Sequence, residues 1–295
     1  MCYSARLMPA PGKLGWWAAL LGYGALWLGM VFIGVRAQMR GLVPGLWVTE
    51  ALAIALPAAV VLAWAGVRFA PYLGLRAVSW KHLAVAAVAS GLNQPVVSFL
   101  TWIAHQNLPR AWAADFDAKQ KMFDSIFAAQ GVPMLVTVVI AAPLGEELFF
   151  RGFAFRALQK SWGLVAAVVV SGAMFSAMHG DPIGFVGLME IGILLAALRH
   201  WSGSLWPAVV GHAVNNGFAG GAFLLKLEDP QAPPPAWVMA AGAVLFLAGL
   251  VLLVRVLRKP SPAQAVEEPS PYGTGRAVAL SALWVAALAA AQIVL

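Results

Sequence analysis

The chain has 295 residues, of which 61% are hydrophobic and only 11% charged, and its mean hydropathy is +0.81. Ordinary soluble domains are about 25% charged, so this composition excludes a disordered chain, a disulfide-rich secreted scaffold and a soluble enzyme of this length. The bilayer is the solvent for most of the surface. Nineteen basic and 12 acidic residues leave a net charge of +7. The basic residues lie between apolar runs, where they read as topology determinants rather than as a nucleic-acid patch. Cys2 is the one cysteine. It precludes an internal disulfide, and no apolar stretch precedes it as a lipoprotein signal would require.

An apolar stretch of about 20 residues spans a hydrocarbon core as a helix. Nine such stretches follow in chain order, near 14–35, 42–66, 82–104, 132–155, 162–180, 183–198, 205–225, 236–257 and 277–295. The stretch at 183–198 is short, and 42–66 and 82–104 contain proline, so eight spans is the other count. Apolar residues come in continuous blocks without the alternation of a membrane barrel, which predicts an all-α bundle of about eight or nine transmembrane helices. No cleavable signal peptide is expected, because the first run is long enough to span and no small-residue cleavage site follows it.

Three connections stand out. Residues 105–131 mix Arg110, Asp115, Asp117, Lys119, Lys121 and Asp124 with aromatics, which suits an amphipathic interfacial helix. Residues 226–236 hold Pro230, Pro233, Pro234 and Pro235, a stiff turn, and 259–276 reads as an exposed proline-rich linker with Glu267 and Glu268. The resulting organisation is N-terminal helices and interfacial loop over 1–130, a core over 131–222 and C-terminal helices over 223–295. If all nine stretches cross, twelve Lys and Arg lie on the side of the N-terminus and six on the other, with Arg151 set aside. The positive-inside rule then puts the N-terminus in the cytoplasm.

An ionisable group inside a span costs roughly 2.5–3.5 kcal/mol on insertion scales, yet the fourth span carries Glu146-Glu147 followed by Arg151. Glu147 and Arg151 are one helical turn apart and can pair, while Glu146 projects about 100° away. One carboxylate is thereby neutralised and the other left as a candidate base. Phe175 and His179 repeat the one-turn spacing in the fifth span, and His212 and Asn216 in the seventh. Glu147–Arg151 reads equally well as an ion pair fixing helix packing, His179 taken alone as an interfacial histidine, and Asn215 as a residue joining helices by hydrogen bonds.

A carboxylate, two imidazoles and an amide suit hydrolysis of an acyl bond. The carboxylate takes a proton from water, an imidazole orients that water or protonates the leaving amine, and a second imidazole with an amide steadies the oxyanion. No Gly-x-Ser-x-Gly is present, so a serine nucleophile is not favoured.

With these residues in place, the sequence resembles the CAAX prenyl protease and bacteriocin-processing (CPBP, or Abi) family of intramembrane glutamic endopeptidases. The family's ordered motifs E-E-x-x-x-R, F-x-x-x-H and H-x-x-x-N are matched by Glu146-Glu147 with Arg151, Phe175 with His179, and His212 with Asn216. The stretch Ser204-Leu205-Trp206-Pro207 before His212 also looks like the family's segment, and the resemblance covers about residues 130–222. It implies a peptidase that needs no metal or other cofactor. By the same resemblance Glu146 and His179 activate water, His212 and Asn216 stabilise the oxyanion, and Glu147, Arg151 and Phe175 support them. The implied partners are the bilayer and a membrane-associated protein or peptide substrate, with no nucleic acid, in a multi-pass protein of a bacterial inner membrane.

Two other readings use the same side chains. Glu146, His179 and His212 could form a His2Glu zinc site, although H-E-x-x-H is missing. A transporter or non-catalytic scaffold would use the buried polar groups as a proton relay, although no internal repeat is visible. On the span model His179 lies some eight residues past the middle of its helix, about 12 Å along the axis. Unless tilt or shifted helix ends absorb that offset, His179 falls outside the site. Glu50 in the second span and Glu190 in the sixth are expected to be structural.

Overall fold

The computed structural model describes residues 14–225, scattered positions between 235 and 251, and 273–292. The described residues form a helical bundle without a β-strand. Among them, six stretches are long and apolar enough to cross a membrane: Trp16–Arg40, Leu42–Trp64, Trp80–Asn107, Arg110–Met178, Phe185–Ser202 and Thr274–Gln292. The fold is therefore the expected all-α membrane bundle. The expected span at 236–257 falls largely outside the described residues, as do the proline turn after Leu225 and most of the linker before Gly273.

Trp16–Arg40 is α1 and Leu42–Trp64 is α2, each interrupted by a π-helical turn, Met30–Gly34 and Thr49–Ala55. A short helix α3 (Phe69–Leu73) precedes α4 (Trp80–Leu92) and α5 (Gln94–Asn107), which meet at Asn93. The long run Arg110–Met178 is broken at Gly131 (φ 48°, ψ −123°) and Gly163 (φ 78°, ψ 179°). Positive φ is a conformation that glycine adopts without the Cβ penalty, so two glycines divide the run into α6 (110–130), α7 (132–162) and α8 (164–178). The segment 110–130 is helical, as expected. The spans expected at 132–155 and 162–180 shift, because α7 extends to Gly163 and leaves α8 short. Next come α9 (Phe185–Ser202), α10 (Trp206–Leu225) and α11 (Gly273–Gln292).

Small residues set the closest helix crossings, as membrane bundles require in the absence of a hydrophobic force between helices. A Cβ on Gly192 of α9 would stand 2.7 Å from the Cα of Gly172 of α8, and one on Gly29 of α1 would stand 2.8 Å from the Cα of Ala53 of α2. Around these crossings the main core gathers Phe149, Phe150, Phe153, Phe155 and Phe175 with Leu26, Leu62 and Leu158. Phe149 and Phe150 meet edge to face at 5.0 Å between centroids, and Phe150 and Phe175 at 5.4 Å, the arrangement ring quadrupoles favour.

One end of the bundle is basic. Arg76 donates to the Ser202 carbonyl at 2.7 Å, Arg156 donates to the Pro71 carbonyl at 3.1 Å and lies over the Tyr72 ring, and Arg276 lies over the Phe69 ring. Arg199 packs against Gly74 and interacts electrostatically with Arg156 and Arg76. Trp16 and Trp162 stack at 6.2 Å at the start of α1 and the end of α7. All the arginines in this cluster belong to the side that the charge tally assigned to the N-terminus.

Candidate active site

Glu146 and Glu147 sit in the middle of α7, on an α-helical stretch Ala142–Glu147 held between two π turns, Thr137–Ala141 and Leu148–Ala154. π turns within α-helices frequently mark functional sites. Glu147 and Arg151 are both fully buried, and Arg151 Nη1 donates to Glu147 Oε1 at 2.9 Å. Arg151 Nη2 donates to the Gly192 carbonyl at 3.1 Å, and the guanidinium stands 4.4 Å from the Phe175 ring centroid. The arginine thus ties α7 to both α8 and α9.

His212 of α10 is buried, and its Nδ1 lies 2.9 Å from the same Glu147 Oε1. That oxygen already accepts from Arg151, so Nδ1–H is the donor and Nε2 is the nitrogen left for other chemistry. The sequence reading paired Glu147 with Arg151 alone. Here Glu147 also holds His212, and a carboxylate that fixes an imidazole orients it for function.

Asn216, one turn further along α10, donates through Nδ2 to the Val138 carbonyl inside the first π turn at 2.8 Å. One amide proton is committed there and one remains. Asn215 Oδ1 accepts from Gln94 Nε2 at 2.8 Å, which joins α10 to α5 and matches the helix-joining role expected for it.

His179 caps the end of α8 and is exposed. Its Nδ1 lies 3.0 Å from the Phe175 carbonyl. A carbonyl only accepts, so Nδ1 carries the proton and Nε2 keeps a lone pair in the neutral ring. The two histidines meet one aromatic residue: Phe175 is edge to face with His179 at 5.0 Å and with His212 at 5.5 Å. His179 is thus joined to His212 through the Phe175 ring, at the end of a helix that begins after Gly163. Phe175 is the hub, touching both imidazoles, Arg151 and Phe150.

Glu146 is buried, and among the described residues its Oε2 has no hydrogen-bonding partner. It bonds to neither histidine. Glu50 of α2 interacts with it electrostatically from another helix, and its Oε2 would lie 2.5 Å from a Cβ on Gly145. Sequence reasoning found Glu50 as a carboxylate inside a span but could not supply its neighbour, because no periodicity relates one helix to another. Glu190 accepts from Asn93 Nδ2 at 2.7 Å, a bond between α9 and the α4–α5 junction. Among the described residues, no three His, Cys, Asp or Glu side chains gather as a metal-binding group, so Glu146, His179 and His212 do not assemble as one ligand set.

No curated protein and no solved structure matches the chain. Residues 128–218 match the family model described as type II CAAX prenyl endopeptidase, Rce1-like, and this stretch holds every motif residue from Glu146 to Asn216, so the site lies within a domain similar to that membrane peptidase family.

Proposed function

We propose that the protein is an intramembrane endopeptidase that hydrolyses a peptide bond of a membrane-associated, CAAX-like protein or peptide without a metal. The observation that carries this reading is a buried carboxylate with an unpartnered oxygen, Glu146, beside a Glu147–Arg151–His212 cluster in the segment that matches the peptidase family. In this mechanism Glu146 accepts a proton from water, and the water oxygen bonds to the scissile carbonyl carbon. His179 Nε2 accepts from and orients that water. The carbonyl oxygen becomes an oxyanion that takes hydrogen bonds from the second amide proton of Asn216 and from His212. An Nε2–H donor at His212 requires the doubly protonated ring, since Nδ1 already holds its proton on Glu147, and Glu147 stabilises that imidazolium. The proton on Glu146 then passes to the leaving nitrogen, the C–N bond breaks, and an acid and an amine are released.

The orientation that follows from the charge tally places the Arg76, Arg156 and Arg199 end in the cytoplasm. The test of the function is cleavage of a prenylated CAAX-type peptide by purified protein, with Glu146→Gln and His179→Ala as variants. Both variants are expected to lose cleavage while folding normally. Full cleavage by the two would overturn the assignment. Comparing membrane-protein N- and C-termini in cells carrying wild type or Glu146→Gln would identify the substrate.

A further inference from the structure

Glu50 has no place in the three motifs, yet it packs on Gly145, the neighbour of Glu146, and interacts electrostatically with Glu146. It lies in the π turn Thr49–Ala55 of α2, is 7% exposed, and packs on Gly145, where a Cβ would stand 2.5 Å from its Oε2 and 2.9 Å from both its Cβ and its backbone oxygen. Only a glycine next to Glu146 admits α2 this closely. The Oε2 atoms of Glu50 and Glu146 are both buried without a partner, and the two side chains interact as like charges.

Among the described residues, the neighbours supply no separate cation for Glu50. Of the ionisable groups on elements packed against its turn, Tyr23 donates to the Met174 carbonyl, Arg36 lies over the Phe32 ring, and Arg40 is exposed at the end of α1. Glu147 and Arg151 are bonded to each other. Arg151 is therefore one guanidinium for three buried carboxyls, and it acts on Glu147 and Glu146. With His212 protonated against Glu147, the cluster balances when one of the three carboxyls keeps its proton. Two carboxyl groups confined to one buried site hold a single proton between them, because both cannot ionise at low cost.

We propose that Glu50 is the proton-holding partner of Glu146: the pair shares one proton, and Glu50 retains it as a donor to the Glu146 carboxylate that serves as base. Glu50 is a positioning residue in this arrangement. It directs the lone pair of Glu146 and keeps the cluster neutral before water is activated. The assignment rests on the peptidase reading for its catalytic meaning, but the shared proton is measurable without any substrate.

The experiment is infrared spectroscopy of the full chain in lipid nanodiscs, following the protonated-carboxyl stretch as pH is varied. Wild type is expected to show this band at neutral pH, Glu50→Gln to lose it, Glu146→Gln to displace it, and Glu190→Gln to keep it. Gly145→Ala, which retains every carboxyl and forces Glu50 away from Glu146, is the second variant and is expected to displace the band. Absence of the band in wild type, or its persistence unchanged in Glu50→Gln, overturns the proposal. In the cleavage assay, kcat/KM of wild type is expected to fall at alkaline pH as the shared proton leaves, and Glu50→Gln is expected to lack that limb. An identical alkaline limb in both overturns the proposal as well. Missing cleavage together with the expected band pattern would reject the peptidase reading and leave the carboxyl pair standing.

Discussion

Replacing Arg151 by methionine keeps most of the apolar stem and deletes the guanidinium. The structure gives three losses at once: the 2.9 Å bond to Glu147, the 3.1 Å bond to the Gly192 carbonyl and the contact with the Phe175 ring at 4.4 Å. Both charged partners are fully buried, so removing one leaves the Glu147 carboxylate with His212 alone. Breaking a buried pair in this way costs about 3–5 kcal/mol. Glu147→Gln removes the stranded charge, so the double variant Arg151→Met/Glu147→Gln is expected to be less damaged than the two single effects added together, with a coupling of about 2 kcal/mol for residues in direct contact. Equilibrium unfolding in mixed detergent micelles measures all four proteins. A cost below about 1 kcal/mol for Arg151→Met, which is the range of exposed pairs, or strict additivity in the double variant, would refute the view that this arginine ties α7 to α8 and α9.

The remaining expectations concern the same cluster. Gly192→Ala drives a Cβ to 2.7 Å from the Gly172 Cα, a backbone atom that cannot swing aside. Overpacking of this kind costs typically about 1–3 kcal/mol, and wild-type stability in the same unfolding assay would contradict the close crossing of α8 and α9. Because His212 and Glu147 act as one unit through a single hydrogen bond, Glu147→Gln and His212→Ala should each lower kcat, and the double variant should be little worse than the poorer single one. Losses that multiply would separate the two residues. Asn216→Ala is expected to lower kcat by about 10²–10³-fold, as removal of an oxyanion donor does. Unchanged kcat with reduced stability would confine Asn216 to its bond with Val138.

The membrane class was legible from composition, and the all-α bundle from the continuous apolar blocks, because the bilayer core forces backbone groups to pair within each segment. Helical periodicity also carried the relations inside a helix. Glu147 meets Arg151 one turn on, and Phe175 meets His179, since spacing along a helix fixes direction around it. Relations between helices were another matter. That His212 takes Glu147 as its partner, that Asn216 turns to the Val138 carbonyl, and that Glu50 packs beside Glu146 all depend on how far each helix slides and rotates against its neighbours. Those displacements are set by close glycine contacts such as Gly172 with Gly192, by the breaks at Gly131 and Gly163, and by π turns that shift the register of α2 and α7. The apolar runs were enough to put four carboxylates in membrane spans, and the one-turn spacing to pair one of them with Arg151. Which carboxylates come together depends on the packed bundle, because a helix carries its own angular order in its sequence but not its height or rotation among its neighbours.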